Sequence, residues 1–303
     1  MKLFFIMAMK YIIAIDIGGS TFRVGLFSER LDEIDISEQD KIRHYDDKEC
    51  VTDAILLQIQ SIINKNSINK ADVLGLGIAL PGPLDTKQGI VLNTPNLTIF
   101  KDFHIVKYFN EQSGYDVFIE NDANLFSLGE WYSQYQKYNI VVGVTIGTGL
   151  GFGLIINGQL FRGANGFAME YGLSPFKWGE CEKNVCIKAI KDKSRELYGE
   201  EIRPVILEEY YKSNDKKAIK IYDEFGSNLG IVLSHVINML DPDVISLGGG
   251  LSKAFDCFKQ SMFEAIKKNV PAFSNRNIMI NQSKYGEKSS MLGASIIVKQ
   301  GKD

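Results

Sequence analysis

The groups best placed to do chemistry in this chain are glycines, hydroxyls and carboxylates that punctuate apolar runs. The longest such stretch is IVVGVTIGTGLGFGLIINGQLFRGANGFAMEYG, from Ile140 to Gly172. An apolar run, Ile140 to Ile146, leads into glycine at every second position: Gly147, Gly149, Gly151 and Gly153. A second apolar run, Leu154 to Ile156, ends at the turn Asn157-Gly158. The pattern predicts strand, glycine loop, strand, tight turn. Without Cβ atoms, backbone N–H groups can converge on a phosphate, and Thr148 adds a hydroxyl at the tip. The spacing is neither a Walker P-loop nor a dinucleotide G-x-G-x-x-G. A hairpin that only needs a pliable backbone is the competing reading.

A second constellation lies near the start. Asp16 ends the apolar run KYIIAIDIG, and Gly18, Gly19, Ser20 and Thr21 form the turn that follows. A carboxylate at a strand end beside glycines and hydroxyls suits a hydrated Mg²⁺ and a phosphate tail. An ordinary Asx-type hairpin is the alternative, but an acid inside IIAIDIGG needs a reason to be there. A third constellation is Glu120-Asn121-Asp122-Ala123-Asn124, after the short strand Val117 to Glu120. Asn121 or Asp122 could serve only as a helix N-cap. The cluster nevertheless offers more polar groups than one cap needs, and a shielded Asp there could take a proton from a substrate hydroxyl. A fourth, Gly248-Gly249-Gly250, stands between a buried strand and a helix, where a flat base or a phosphate could approach the backbone; close packing of that turn would explain it equally well.

The elements that must position these groups follow from hydrophobic periodicity. Phe22 to Ser28 alternates and should pair with Lys10 to Gly18, and a third strand is expected near Ile34 to His44. Asp47 to Asn66 has helical spacing, and Val73 to Leu80 is a buried strand running into Pro81-Gly82-Pro83. Asn93-Thr94-Pro95-Asn96 is a second proline-held loop of the kind that often carries binding residues. Helices are expected over Ala123 to Tyr135, Lys188 to Tyr198, Val205 to Tyr211, Ala218 to Leu240 (as one or two), Ser252 to Lys268 and Ser289 to Lys299, with strands at Val244 to Leu247 and Ile278 to Ile280.

Bulk properties narrow the classes. The chain has 303 residues, enough for two domains, with 45% apolar and 23% charged residues. A net charge of -3 argues against a protein that grips nucleic acid electrostatically. Four cysteines make no disulfide framework and fit a reducing cytoplasm. MKLFFIMAM is too short for a signal sequence, and Met9-Lys10 would itself make a natural beginning, so residues 1–8 read as an upstream extension. The uncharged stretch between Lys137 and Arg162 could span a bilayer by length, yet its glycines and polar turn suit a buried hairpin. No membrane association is expected.

In this order, the segments resemble the ROK family of sugar kinases and repressors, within the actin/hexokinase/Hsp70-like ATPase superfamily. The resemblance runs from about Tyr11 to Val298. AIDIGGSTFRVGL (Ala14 to Leu26) looks like the first phosphate motif, and GIALPGPLD (Gly77 to Asp85) and NTPNL (Asn93 to Leu97) look like sugar-side loops. ENDAN looks like the catalytic segment, IGTGLGFGLIINGQLFRGANG like the second phosphate motif, and LDPDVISLGGGLS (Leu240 to Ser252) like the adenosine-side motif. The resemblance implies an α/β fold of the two-domain actin-like ATPase (ribonuclease H-like) type with an interdomain cleft. The smaller domain would take residues 1–122 and about 287–303, and the larger 123–286. It implies ATP and Mg²⁺ as cofactors, a small sugar as substrate and a homodimer as the assembly. Asp122 becomes the implied base and Asp16 the group that orients Mg²⁺ through water. Gly18, Gly19, Ser20, Thr21, Gly147, Thr148 and Gly149 would hold phosphates, and Gly248, Gly249 and Gly250 the adenosine. Pro81, Gly82, Asn96, Asn121 and Glu170 would line the sugar site.

The chain departs from the family pattern after Glu170. The family usually continues E-x-G-H and then C-x-C-G-x-x-G-C-x-E, whose histidine and cysteines bind structural zinc. Here Leu173 replaces the histidine, only Cys181 and Cys186 remain, and Lys188 replaces the last acid. Two thiolates do not fill a tetrahedral site, so no zinc is expected. The sugar pocket would keep Glu170 and lose two polar contacts. The family's repressors carry an N-terminal helix-turn-helix, and a first phosphate motif starting at Ala14 leaves no room for one, so DNA binding is not expected. A sugar kinase is the reading that best joins these features. A non-catalytic sugar or nucleotide sensor competes through Leu173 and Lys188, and an actin-like filament ATPase is opposed by the two sugar-side loops.

Overall fold

The computed structural model describes residues 9–95, 97–177, 179–286 and 288–302. The chain forms two compact units. The first takes the chain up to Gly129, Ala164–Gly166 and the chain from Lys288 onward; the second holds Glu130–Gly163 and Phe167–Glu287.

In the first unit β1 (Tyr11–Ile17) is the central strand, with Ile12 to Ile15 and Ile17 wholly buried. It is an almost continuous apolar run because both of its faces are covered. β2 (Thr21–Ser28) pairs with it antiparallel, and β3 (Glu33–Ile36) and β4 (Asp40–Lys41) pair with β2. Helix α1 (Lys48–Lys65), capped by Asp47 accepting the Cys50 N–H at 2.7 Å, buries Val51, Ile55, Ile59 and Ile62 against one face. β5 (Val73–Leu80) lies parallel to β1; the small hairpin β6 (Leu84–Asp85) and β7 (Ile90–Val91) and helix α2 (Ile105–Ser113) lead to β8 (Val117–Asn121), parallel to β5. The sheet order is β3-β2-β1-β5-β8. Helix α3 (Asp122–Glu130) follows, and the closing helix Lys288–Gln300 returns to this unit. Glycines set how closely these last elements approach. A Cβ built on Gly77 of β5 would lie 2.1 Å from the Ala294 carbonyl oxygen, one on Gly129 2.0 Å from that of Ser289, and one on Gly293 2.0 Å from that of Leu125.

The second unit repeats the pattern. β9 (Ile140–Ile146) is central, with β10 (Leu150–Ile156) and β11 (Gln159–Leu160) added antiparallel. The short pair β12 (Pro175–Phe176) and β13 (Gly179–Glu180) and helices α4 (Cys181–Asn184), α5 (Ile187–Tyr198), α6 (Pro204–Lys212) and α7 (Lys216–Leu240) come next. β14 (Val244–Gly248), α8 (Phe255–Asn269) and β15 (Met279–Gln282) complete it, and both strands run parallel to β9. The order β11-β10-β9-β14-β15 mirrors that of the first sheet. Helices α7 and α8 cross closely at Gly226 and Gly230, where a Cβ would stand 2.4 Å from the Phe258 carbonyl oxygen and 2.3 Å from that of Met262.

Four expectations change. Gly151 and Gly153 belong to β10, opposite Thr145 and Gly143, so the loop is only Gly147–Gly149. Glycine at every second position matches the strand period: the glycines share one face while Leu150, Phe152 and Leu154 enter the core from the other. The third strand is broken into β3, β4 and a 3₁₀ turn over Ile42–His44. The helix expected to Tyr135 changes at Glu130 into a π-turn over Trp131–Tyr135. The helix after Gly248–Gly250 starts at Phe255, behind a 3₁₀ turn over Gly250–Ala254. Among the described residues no helix is long and apolar enough to cross a membrane.

Candidate functional site

In the first unit β1, β5 and β8 are parallel, so their carboxyl ends share one edge; Asp16 is level with Ala79, and Leu80 with Asn121. Open α/β sheets bind ligands at such an edge, next to the strand where connection order reverses. Here that strand is β1, and the edge gathers Asp16, the Gly18–Thr21 turn, Pro81-Gly82, Asn121 and Asp122. The turn is closed by Gly18 N–H donating to Thr21 carbonyl at 2.8 Å and pinned by Ile42 N–H on Ser20 carbonyl at 2.9 Å. Gly19 and Ser20 are exposed at its tip. The two proline loops are tied together: Leu92 N–H donates to the Pro83 carbonyl at 3.1 Å, and the buried Thr94 hydroxyl reaches the same oxygen at 3.5 Å. Asn96 lies outside the described residues.

Asn121, not Asp122, caps α3. Its Oδ1 accepts the N–H groups of Ala123 (2.9 Å) and Asn124 (3.2 Å). Asp122 is the first helical residue, half-buried, with Oδ1 accepting the Ala123 N–H at 2.8 Å and the Ser290 hydroxyl reaching its carbonyl at 3.5 Å. Glu120 and Asn124 serve the fold: Glu120, 2% exposed, accepts the Asn121 N–H at 2.9 Å and the Asn124 side-chain amide at 3.0 Å. The sequence reading also passed over Arg23. It faces Asp16 across the hairpin, with Nη2 3.4 Å from Asp16 Oδ2. Equal distance from the turn was the signal that could have found it.

The second unit gathers Gly147–Gly149, Glu170 and Gly248–Gly250. The Gly147 carbonyl accepts the Ile187 N–H at the start of α5 (2.9 Å), and Glu182 accepts the Leu150 N–H (3.1 Å). Gly172 lets the Glu170–Leu173 turn press on β10, since a Cβ there would lie 2.1 Å from the Leu150 carbonyl oxygen. Burial, and secondarily the Glu182 carboxylate, push the Glu170 carboxyl above the usual range. Glu182, unremarked in the sequence, thus braces the loop and tunes Glu170. Gly249 sits at φ 81°, and a Cβ would fall 2.5 Å from the Ile146 carbonyl oxygen, so packing alone requires that glycine. Gly147 is different. Its φ is not left-handed, and a Cβ would meet nothing within 4 Å. Gly147→Ala should therefore leave the melting temperature unchanged and weaken nucleotide binding, whereas Gly249→Ala should lower the melting temperature; calorimetry and thermal melts on the pair check this.

Glu170 also carries a pH prediction. Its folded pKa is raised above the unfolded value, so between the two the folded state keeps a proton the unfolded state has released. Its contribution to stability falls as pH rises through that window, which opens near the ordinary glutamate value of 4.5. Glu170→Gln should flatten this part of the profile in denaturant titrations at stepped pH.

The donor sets discriminate between metals. Asp16 with the Ser20 and Thr21 hydroxyls offers hard oxygens and one carboxylate, which fits an Mg²⁺ that keeps its waters and takes substrate phosphates. For zinc, this segment offers two thiols, Cys181 and Cys186, where a tetrahedral site takes four ligands. Both are buried, and burial pushes both thiols up. Leu173 is exposed, and Lys188 is paired with Asp192 on its own helix. Among the described residues no group of three or more His, Cys, Asp or Glu could hold a metal.

Known proteins match this chain over nearly its full length. The family model described as "ROK family" matches residues 12–301. An N-acetyl-D-glucosamine kinase of Mannheimia succiniciproducens is 30% identical, over 93% of this chain and 97% of its own. A glucokinase of Thermotoga maritima is 28% identical, over 95% and 97%. The solved ROK family glucokinase of Streptomyces griseus, in complex with glucose and AMPPNP, superposes with a TM-score of 0.82 at 23% identity, covering 97% of this chain and all of that one. That likeness carries the fold, an α/β architecture of two units whose sheets share one strand order. The chain belongs to the ROK family.

Proposed function

We propose that this protein is a sugar kinase that transfers the γ-phosphate of ATP to a hydroxyl of a hexose or N-acetylhexosamine, the 6-hydroxyl first among them. The observation that carries the reading is Asp122 at the carboxyl end of β8, on the same sheet edge as Asp16 and the Gly18–Thr21 turn. Phosphoryl transfer depends on positioning and charge stabilisation rather than covalent help from the protein. Asp122 accepts the hydroxyl proton as the oxygen attacks phosphorus. Gly19, Ser20, Thr21, Thr148 and Gly149 present N–H and hydroxyl donors to the phosphates, Gly18 and Gly147, whose own N–H groups close the turns on the Thr21 and Gly149 carbonyls, let the backbone approach them, and Gly248, Gly249 and Gly250 take the adenosine. Pro81, Gly82, Asn96, Asn121 and Glu170 hold sugar hydroxyls, and the Asn121 amide NH₂ remains able to donate while its Oδ1 caps α3. A hydrated Mg²⁺ at Asp16, when bound, neutralises phosphate charge. The names of the relatives at 28% and 30% identity support this substrate class.

The test is coupled ADP release with Mg-ATP across hexoses, N-acetylhexosamines and β-glucosides, with Asp122→Asn as blank. Turnover on one class identifies the acceptor. Bound ATP with no turnover on any would replace the kinase by a sugar or nucleotide sensor.

A further inference from the structure

Resting on the kinase reading, we infer that Tyr171 is a positioning residue for Glu170, fastening the sugar-side turn to helix α7 through His235. The turn Glu170–Leu173 starts from a strained residue. Met169 sits at φ 70°, a left-handed conformation that is costly for a side chain of its size and persists only where the surroundings enforce it. Backbone contacts fix the far end of the turn: Ser174 N–H donates to the Tyr171 carbonyl at 3.0 Å, and Cys181 N–H to the Ser174 carbonyl at 2.9 Å. Tyr171 fixes the near end. Its ring meets Phe152 of β10 edge-on, with centroids 5.6 Å apart and planes at 84°. Its hydroxyl lies 2.6 Å from Nδ1 of His235, and the two rings meet at 85°.

The anchor is firm. His235 is exposed, but its neighbours Val232, Leu233, Val236 and Ile237 are buried, so the backbone that carries it is fixed. Burial holds the Tyr171 phenol above its ordinary range, so the hydroxyl keeps its proton at neutral pH. It therefore donates, and the imidazole accepts at Nδ1 with its ring proton on Nε2. Tyr171 directly follows Glu170, joined by one planar peptide. Any rotation of the chain about Met169 would swing both side chains, so holding the phenol holds the direction of the Glu170 carboxyl. A sugar then meets a carboxyl already aimed, and binding spends less on ordering it. The contact with sugar stays with Glu170; Tyr171 and His235 act only through it.

The experiment measures acceptor-sugar KM, ATP KM and kcat by coupled ADP release, with melting temperatures, for the full chain and its Tyr171→Phe, His235→Ala and His235→Gln variants. Tyr171→Phe keeps the ring on Phe152 and removes only the hydroxyl. The expected result is a rise of about fivefold in sugar KM for Tyr171→Phe and for His235→Ala, the size of one net hydrogen bond. ATP KM and kcat should stay within about twofold, since only acceptor binding is affected. The double variant should be no worse than either single one, because both remove the same contact. His235→Gln offers a new acceptor and should recover most of the loss. In a Glu170→Ala background, Tyr171→Phe should change nothing further. Unchanged sugar KM, with or without a lower melting temperature, or additive losses in the double variant, overturns the assignment and leaves the kinase reading standing. A continued effect of Tyr171→Phe in the absence of the Glu170 carboxyl does the same. A wild-type chain with no turnover on any sugar overturns both.

Discussion

Asp122→Asn should lower kcat by about 10²–10⁴-fold and leave ATP affinity and the melting temperature where they were. The substitution is nearly isosteric. Its amide oxygen can still accept the Ala123 N–H that Asp122 Oδ1 accepts at 2.8 Å. The α3 cap belongs to Asn121, so the helix keeps its start. What the amide cannot do is take a proton from an attacking hydroxyl. Coupled ADP release on the best acceptor gives kcat, calorimetry gives the ATP affinity, and a melt controls for folding. Turnover within a few-fold of wild type would move the proton acceptor to another residue.

Gly293→Val should be the most damaging of the conservative changes away from the ligands. A Cβ at Gly293 would lie 2.0 Å from the Leu125 carbonyl oxygen and 2.8 Å from its Cα, both backbone atoms, so relief requires the two helices to separate. Overpacking of this kind costs about 1–3 kcal/mol or more, which for a chain of this size means a drop in melting temperature on the order of 5 °C. Activity should fall beyond what the lost stability explains. Leu125 is one turn after Asp122 on α3, so a displaced helix carries the carboxylate with it. Gly293→Ala, with one carbon in place of three, should show the same two effects at smaller size. A Gly293→Val protein with wild-type melting and kcat would show that the crossing yields without consequence.

Much of the fold was legible because its strands are buried on both faces and its helices on one. Continuous runs such as Tyr11–Ile17 and Val73–Leu80 announce themselves, and so does the spacing of Val51, Ile55, Ile59 and Ile62. The misreadings have local causes. Glycine at every second position looked like one long loop, but strand periodicity hid Gly151 and Gly153 within β10. Helical spacing ran past Glu130 because the backbone stays helical through the π-turn, and no residue type marks the change.

The sequence by itself determined the family pattern, the order of the glycine turns and the identity of the strand-end carboxylates, because these depend on residue type and on neighbours a few positions away. Tertiary structure alone decided which groups act together. Parallel pairing of β1, β5 and β8 brings Asp16, Pro81 and Asp122 to one edge although about a hundred residues separate the first from the last. Antiparallel register sets Arg23 against Asp16, and the fold of the turn after Gly166 brings the charges of Glu170 and Glu182 within influence of each other. It also separated two kinds of glycine that read alike: Gly249, which packing demands, and Gly147, which it does not. The physical reason is that hydrogen-bond register and backbone approach are properties of pairs of segments, and a single chain position carries no record of the partner it will meet.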